Sequence, residues 1–179
     1  YFQNSNLKIL PHHVSENQKL KKNEKQLIVV MGLQGSGKSE VARFLEKELD
    51  GIHFDADKIR QELYANSDEK TQYSEESKST IDRTMYARAL EQAKKGTAII
   101  DATFWSAARR GELTNLINQS RAEGTFRVVY ILVDSSDEVA KSRIGNRLKS
   151  ASNLSTSQYI HREVNKKRYE PLEMECIYI

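Results

Sequence analysis

Short apolar runs alternate along this chain with longer amphipathic stretches, the arrangement of a parallel sheet covered by helices on both faces. Residues 27–31, Leu-Ile-Val-Val-Met, are apolar, rich in β-branched side chains and followed by Gly32, which predicts a buried strand. Val41, Phe44, Leu45, Glu48 and Leu49 occupy one face of the helix that follows, and Gly51 is expected to stop it. Residues 52–54 predict a second strand, closing on Asp55-Ala56-Asp57. Ser74, followed by Glu75 and Glu76, opens a long helix with its apolar stripe at Ile81, Met85, Ala89 and Ala93. Gly96 ends that helix, and residues 97–100 then predict another buried strand reaching Asp101. A helix from about Ser106 is expected to bury Leu113, Leu116 and Ile117. Residues 126–133 read as a fourth strand. Ser135 with Glu138 and Ser155 with Gln158 have the spacing of capping boxes, opening two further helices on either side of a polar loop at 149–153. A last strand is expected at 175–179.

Composition narrows the class. A chain of 179 residues fits one domain, and 38% hydrophobic with 30% charged residues is ordinary for a globular protein with a charged surface. No apolar run approaches the roughly 18 residues that span a bilayer, so no membrane partner is expected and the protein should be cytoplasmic. Cys176 is the single cysteine, which excludes an internal disulfide and a thiolate metal cluster. Residues 1–26 are expected to be a flexible lead-in: Tyr1-Phe2-Gln3 reads as the remnant of an engineered protease-cleavage site, and His12-His13 as a solvated pair without metal-ligand partners. The domain proper is expected to run from 27 to 179. The net charge of +3 is small but uneven, because Lys141 to Arg168 holds eight basic residues against one acidic, a net +7 apart from His161. That stretch either meets something anionic or is a solvated face.

Candidate chemistry gathers at the expected carboxyl ends of the strands. Gly32-Leu-Gln34-Gly35-Ser36-Gly37-Lys38-Ser39 has the form Gly-x4-Gly-Lys-Ser between a strand and a helix. In such a loop the glycines let backbone N–H groups converge on phosphate oxygens, Lys38 places a cation on the β and γ phosphates, and Ser39 offers a hydroxyl to magnesium. ATP with Mg²⁺ is the expected ligand. Asp57 and Arg60, one helical turn apart, suit the acceptor side of phosphoryl transfer, the carboxylate taking a hydroxyl proton and the guanidinium holding substrate or phosphoryl. Asp55 or Asp57 would equally serve as a helix cap. Asp101, at the end of an apolar strand, suits magnesium, with a capping role as its alternative. Thr103 and Trp105 are candidate substrate contacts, although Trp105 would also serve as packing. Arg143 and Arg147 share a helix face before the polar loop, where a lid would deliver positive charge to the transferring group.

Together these segments resemble the P-loop kinases that group predicted bacterial ATP-binding kinases with polynucleotide 5′-hydroxyl kinases. The resemblance covers 27 to about 171 and rests on the glycine loop, on Asp55-Ala-Asp-Lys-Ile-Arg60, on Asp101-Ala-Thr-Phe104 with Arg109 and Arg110, on Arg143-x-x-x-Arg147 and on Tyr169-Glu-Pro171. It implies an α/β P-loop NTPase fold of nucleoside-monophosphate-kinase type, a parallel sheet flanked by helices with a helical lid. It also implies that Asp57 is the general base, that Arg143 and Arg147 touch the transition state, and that Arg110 and Asp55 contact substrate. Members of the group continue past the last strand into a segment that helps hold the adenine; this chain is expected to lack it, which leaves ATP against GTP open. Three functions follow as expectations: a kinase moving the γ-phosphoryl group to a small-molecule hydroxyl, a polynucleotide 5′-hydroxyl kinase, and a nucleotide-hydrolysing regulatory or toxin-like protein. Absence of an Asn-Lys-x-Asp base-recognition sequence weighs against a GTPase switch.

Overall fold

The computed structural model describes residues 20–150, 162–167, 169, 170, 172, 174 and 176–179. Five strands form one sheet, β1 (Gln26–Met31), β2 (Ile52–Asp55), β3 (Thr97–Ala102), β4 (Arg127–Leu132) and β5 (Ile177–Tyr178), in the order β2-β3-β1-β4-β5. Every pairing is parallel. The helices are α1 (Lys38–Leu49), α2 (Ala56–Tyr64), α3 (Glu69–Gln72), α4 (Glu75–Ala93), α5 (Ala107–Arg121) and α6 (Asp137–Ser150), with 162–167 also helical.

Strand alternation divides the core. Side chains two apart on β1 share a face, so Leu27, Val29 and Met31 pack with Met85, Ala89, Ile100, Leu113 and Ile117, whereas Ile28 and Val30 pack with Val41, Ala42, Leu45 and Ile99. All six residues of β1 and all six of β3 are buried, which accounts for their unbroken apolar reading.

Several expectations are corrected in detail. Phe44 is exposed, and Ala42 takes its place on the buried face of α1. That helix is closed by Asp50 in the left-handed region, φ 53°, rather than by Gly51. α6 is capped by Ser136, whose Oγ accepts from Val139 N at 3.3 Å, rather than by Ser135. The last strand is only Ile177–Tyr178, shorter than 175–179. α3 has no periodic signal in its four residues and is absent from the sequence reading. Part of the expected lead-in is docked: the Lys25 carbonyl accepts from Arg127 N at 2.9 Å, and Leu20 packs against the core cluster that holds Ile28, Val30 and Val41. The Ser155–Gln158 box and Tyr159 lie outside the described residues. Ser74 and Ser106 do cap α4 and α5, accepting from Ser77 N at 3.1 Å and Arg109 N at 3.3 Å.

Just past β3 the backbone turns sharply at Phe104, a bulky residue with φ 48° and no exposed surface. Its ring stacks on Tyr86 of α4 with centroids 6.1 Å apart. That packing holds an unfavourable conformation in place and fixes where Thr103 and Trp105 emerge. Phe104→Ala is expected to destabilise the protein by roughly 3–5 kcal/mol, read from urea unfolding. A loss below about 1 kcal/mol would mean that the ring does not anchor the turn.

Candidate active site

The glycine loop spans 32–37 between β1 and α1. All three of its glycines have positive φ, and two show why no other residue fits. A side chain at Gly32 would bring Cβ to 2.3 Å from the Val133 carbonyl, and Gly37, which caps α1, adopts φ 101°. No side chain caps α1, so the first N–H groups of that helix have no side-chain oxygen in front of them. With the positive end of the helix dipole, this is an anion-binding geometry. Ser36 is 2% exposed and its Oγ has no hydrogen-bond partner.

Two arginines brace the loop from outside. Arg143 of α6 donates to Ser36 O at 2.6 Å and to Gly35 O at 3.4 Å. Arg162 is the largest fully buried side chain among the described residues, 1% exposed, and donates to Gln34 O at 2.6 Å, Ser135 O at 3.3 Å and Asp137 Oδ1 at 3.1 Å. Arg162 therefore ties the loop to the start of α6. From sequence it was one basic residue among eight, and only its burial separates it from the rest. Lys166 also pairs with Asp137, so Lys166 and Arg162 together hold that carboxyl below its ordinary range. We expect Arg162→Met to cost roughly 1–3 kcal/mol of stability, because it strands two half-buried carbonyls, with weaker nucleotide binding and partial rescue by Arg162→Lys. Unchanged stability and affinity would remove Arg162 from this role.

Sheet register brings the acidic residues together. Asp101 lies opposite Val30 of β1 on one side and Asp55 of β2 on the other. It is 4% exposed, and its Oδ1 has no hydrogen-bond partner. Burial pushes this carboxyl up, but His53, the Lys38 charge and the Ser39 hydroxyl outweigh it and hold the group below its usual range. A buried, ionised carboxylate with a free oxygen beside Ser39 is a donor set that fits a hard divalent cation such as Mg²⁺. Beside it stands His53, absent from the sequence reading, whose Nε2 is 3.6 Å from Asp101 Oδ2. Both ring nitrogens of His53 are buried without a hydrogen-bond partner, a situation that costs roughly 1–3 kcal/mol for each unpaired group. The signal available for it was a polar residue inside a short apolar strand, two positions before Asp55.

On the outer side of β2, Asp55 caps α2, its Oδ1 accepting from Asp57 N at 2.8 Å. Asp57 is exposed and paired with Arg60, whose guanidinium carbon lies 4.7 Å from the centre of the Tyr73 ring. Nearby, Arg109 donates to both oxygens of Asp82 at 2.5 Å. Burial pushes the Asp82 carboxyl up, and the Arg109 charge opposes the shift without cancelling it. Arg110 is 4% exposed and donates to the Phe104 carbonyl at 2.9 Å and the Glu170 carbonyl at 3.2 Å, an arrangement that braces the turn after β3. Thr103 and Trp105 are half-buried on that turn, and the Trp105 carbonyl accepts from Glu170 N at 3.1 Å. The side chain of Arg147 lies outside the described residues. Glycine loop, Asp101 and Asp55–Asp57 thus meet at the carboxyl ends of β1, β3 and β2, where the chain's crossovers diverge to either side of the sheet.

Fold and loop define a P-loop protein of kinase architecture. Residues 27–172 match the family model described as an AAA domain, and the chain belongs to that family. No curated protein sequence matches it. Among solved structures, a sugar kinase from Janibacter sp. HTCC2649 aligns at 20% identity and a TM-score of 0.58, covering 86% of this chain and 83% of that one. The Mycobacterium tuberculosis APS kinase CysC, in complex with AMPPNP and APS, aligns at 18% identity and a TM-score of 0.60 over 89% of each chain. A chain of the Pnkp1/Rnl/Hen1 RNA repair complex aligns at 18% identity and a TM-score of 0.59, covering 87% of this chain and 49% of that one. At these identities the likeness is one of fold. Among the described residues no helix is long and apolar enough to cross a membrane.

Proposed function

We propose that this chain is an ATP-dependent kinase that transfers the γ-phosphoryl group to a hydroxyl of a small-molecule acceptor. The observation that carries the reading is the Asp57–Arg60 pair, its carboxylate exposed, set just past the end of β2, whose last residue Asp55 is the register partner of Asp101. A nucleotide switch has no evident use for such a pair. ATP would lie with its phosphates on the N–H groups of 35–39 and on Lys38. Ser39 and Asp101 would hold Mg²⁺, which supplies charge neutralisation across the β and γ phosphates. Asp57 accepts the proton of the acceptor hydroxyl as its oxygen bonds to the γ phosphorus. The bond from that phosphorus to the β–γ bridging oxygen breaks, and ADP departs. Arg60 would steer Asp57 and the incoming group, and Arg143, which reaches the loop through the Ser36 and Gly35 carbonyls, would with Arg147 counter the charge on the transferring phosphoryl. Thr103 and Trp105, on the turn fixed by Phe104, are the proposed acceptor walls. Asp55 and Arg110 are proposed to act on substrate through the segments that they brace.

A polynucleotide 5′-hydroxyl acceptor is the second reading, favoured by the fold likeness to a chain of an RNA repair complex and by the basic stretch. Against it, Arg162 is buried and Lys166 is engaged with Asp137, which removes two cations from any phosphate-tracking surface. ATP consumption measured across sugars, nucleosides, aminoglycosides and 5′-hydroxyl oligonucleotides separates the readings. Turnover with a small molecule is expected. Turnover confined to oligonucleotides, with binding that weakens roughly fortyfold between about 50 and 200 mM salt as three phosphate contacts to a duplex require, would replace the first reading by the second. ATP hydrolysis that no acceptor stimulates would favour the regulator.

A further inference from the structure

Three side chains at the carboxyl end of the β2–β3 pair share one face of the sheet. His53 and Asp55 lie two apart on β2, and Asp101 is the register partner of Asp55 on β3. Each offers a ligand atom, and the three atoms lie within 4.8 Å of one another. Acidic groups alone would mean little. The independent observation is the imidazole, whose side chain is 1% exposed, has neither nitrogen hydrogen-bonded, and brings Nε2 to 3.6 Å from Asp101 Oδ2. That separation exceeds a hydrogen bond, yet it is close to the roughly 3.3 Å between any two ligands of a tetrahedral ion bound at about 2.0–2.1 Å.

We propose that His53, Asp55 and Asp101 bind a borderline divalent transition ion of the Co²⁺ or Zn²⁺ class, in preference to Mg²⁺. Mg²⁺ takes oxygen ligands and keeps its waters, whereas imidazole nitrogen raises affinity along the series toward the later first-row ions. Asp101 contributes an ionised carboxylate with a free oxygen. Asp55 spends Oδ1 on the cap of α2, which leaves Oδ2 as the oxygen to offer the ion. The Lys38 charge opposes the cation, and the two carboxylates outnumber it. The binding needs neither nucleotide nor acceptor, so it stands or falls separately from the kinase reading.

Co²⁺ is the probe, titrated into the full nucleotide-free chain carrying His12→Asn and His13→Asn, so that adventitious binding by these two solvated imidazoles does not enter the spectrum. One equivalent should bind with a visible d–d band, and the proton NMR spectrum should show hyperfine-shifted imidazole resonances. A hundredfold excess of Mg²⁺ should fail to displace it. His53→Gln should abolish the shifted resonances and weaken binding at least tenfold, and Asp55→Asn should weaken it while keeping them. Absence of the shifted imidazole signals in the parent chain would overturn the proposal without reference to any variant. So would displacement by equimolar Mg²⁺, or equal affinity in a folded His53→Gln variant.

Discussion

Lys38→Ala is expected to abolish phosphoryl transfer while leaving the protein folded. Lys38 is the first residue of α1, half-exposed at the mouth of the glycine loop and outside both core clusters, so stability should change by no more than about 0.5 kcal/mol. Its ammonium is the charge that the proposed mechanism sets against the β and γ phosphates. A tenfold change in rate corresponds to only about 1.4 kcal/mol, less than one well-placed cation contributes in a site that excludes water. Turnover above about a tenth of wild type, measured with saturating ATP and an acceptor identified from the panel, would remove the loop from the phosphate site. A thermal melt matching wild type is the accompanying control.

Asp57→Asn should lower turnover by roughly 10² to 10⁴ with nucleotide affinity nearly unchanged, as when a general base is lost. Geometry separates this residue from the cation corner. Asp57 is exposed beyond the cap of α2, whereas Asp101 is buried inside the sheet beside Ser39. Amide replacement keeps the size of the side chain and its hydrogen bond with Arg60, so the orientation of Arg60 over Tyr73 should survive. An equal fall in affinity for Mg²⁺-ATP would show that Asp57 serves the metal instead. No effect on either quantity would return it to the role of a solvated first-turn acid.

How much of this was legible in the chain differs from place to place. The glycine loop and both central strands were readable because their constraints are local. A strand buried on two faces must be apolar throughout, and a backbone that closes on phosphate needs glycines at fixed spacing. Capping serines at 74 and 106 were readable for the same reason, since a cap bonds within its own turn. Ser135 and Ser136 show the limit. Either residue can cap, and the helix begins at Asp137, so that Ser136 Oγ meets Val139 N while the Ser135 carbonyl accepts from Arg162, 27 residues away.

Sequence alone thus determined the alternation of strands and helices and the glycine loop between β1 and α1, all set by periodicity or by constraints within a few residues. Only the tertiary structure decided that Asp101 lies beside Asp55 and His53. It also decided that Arg162 leaves the basic stretch to brace Gln34, and that Arg110 turns inward to backbone carbonyls. The reason is physical: charge and residue type are properties of a position, but burial and partnership are created by strand register and helix packing between segments far apart in the chain. The same arginine is a solvated cation or a buried brace according to what the fold places against it.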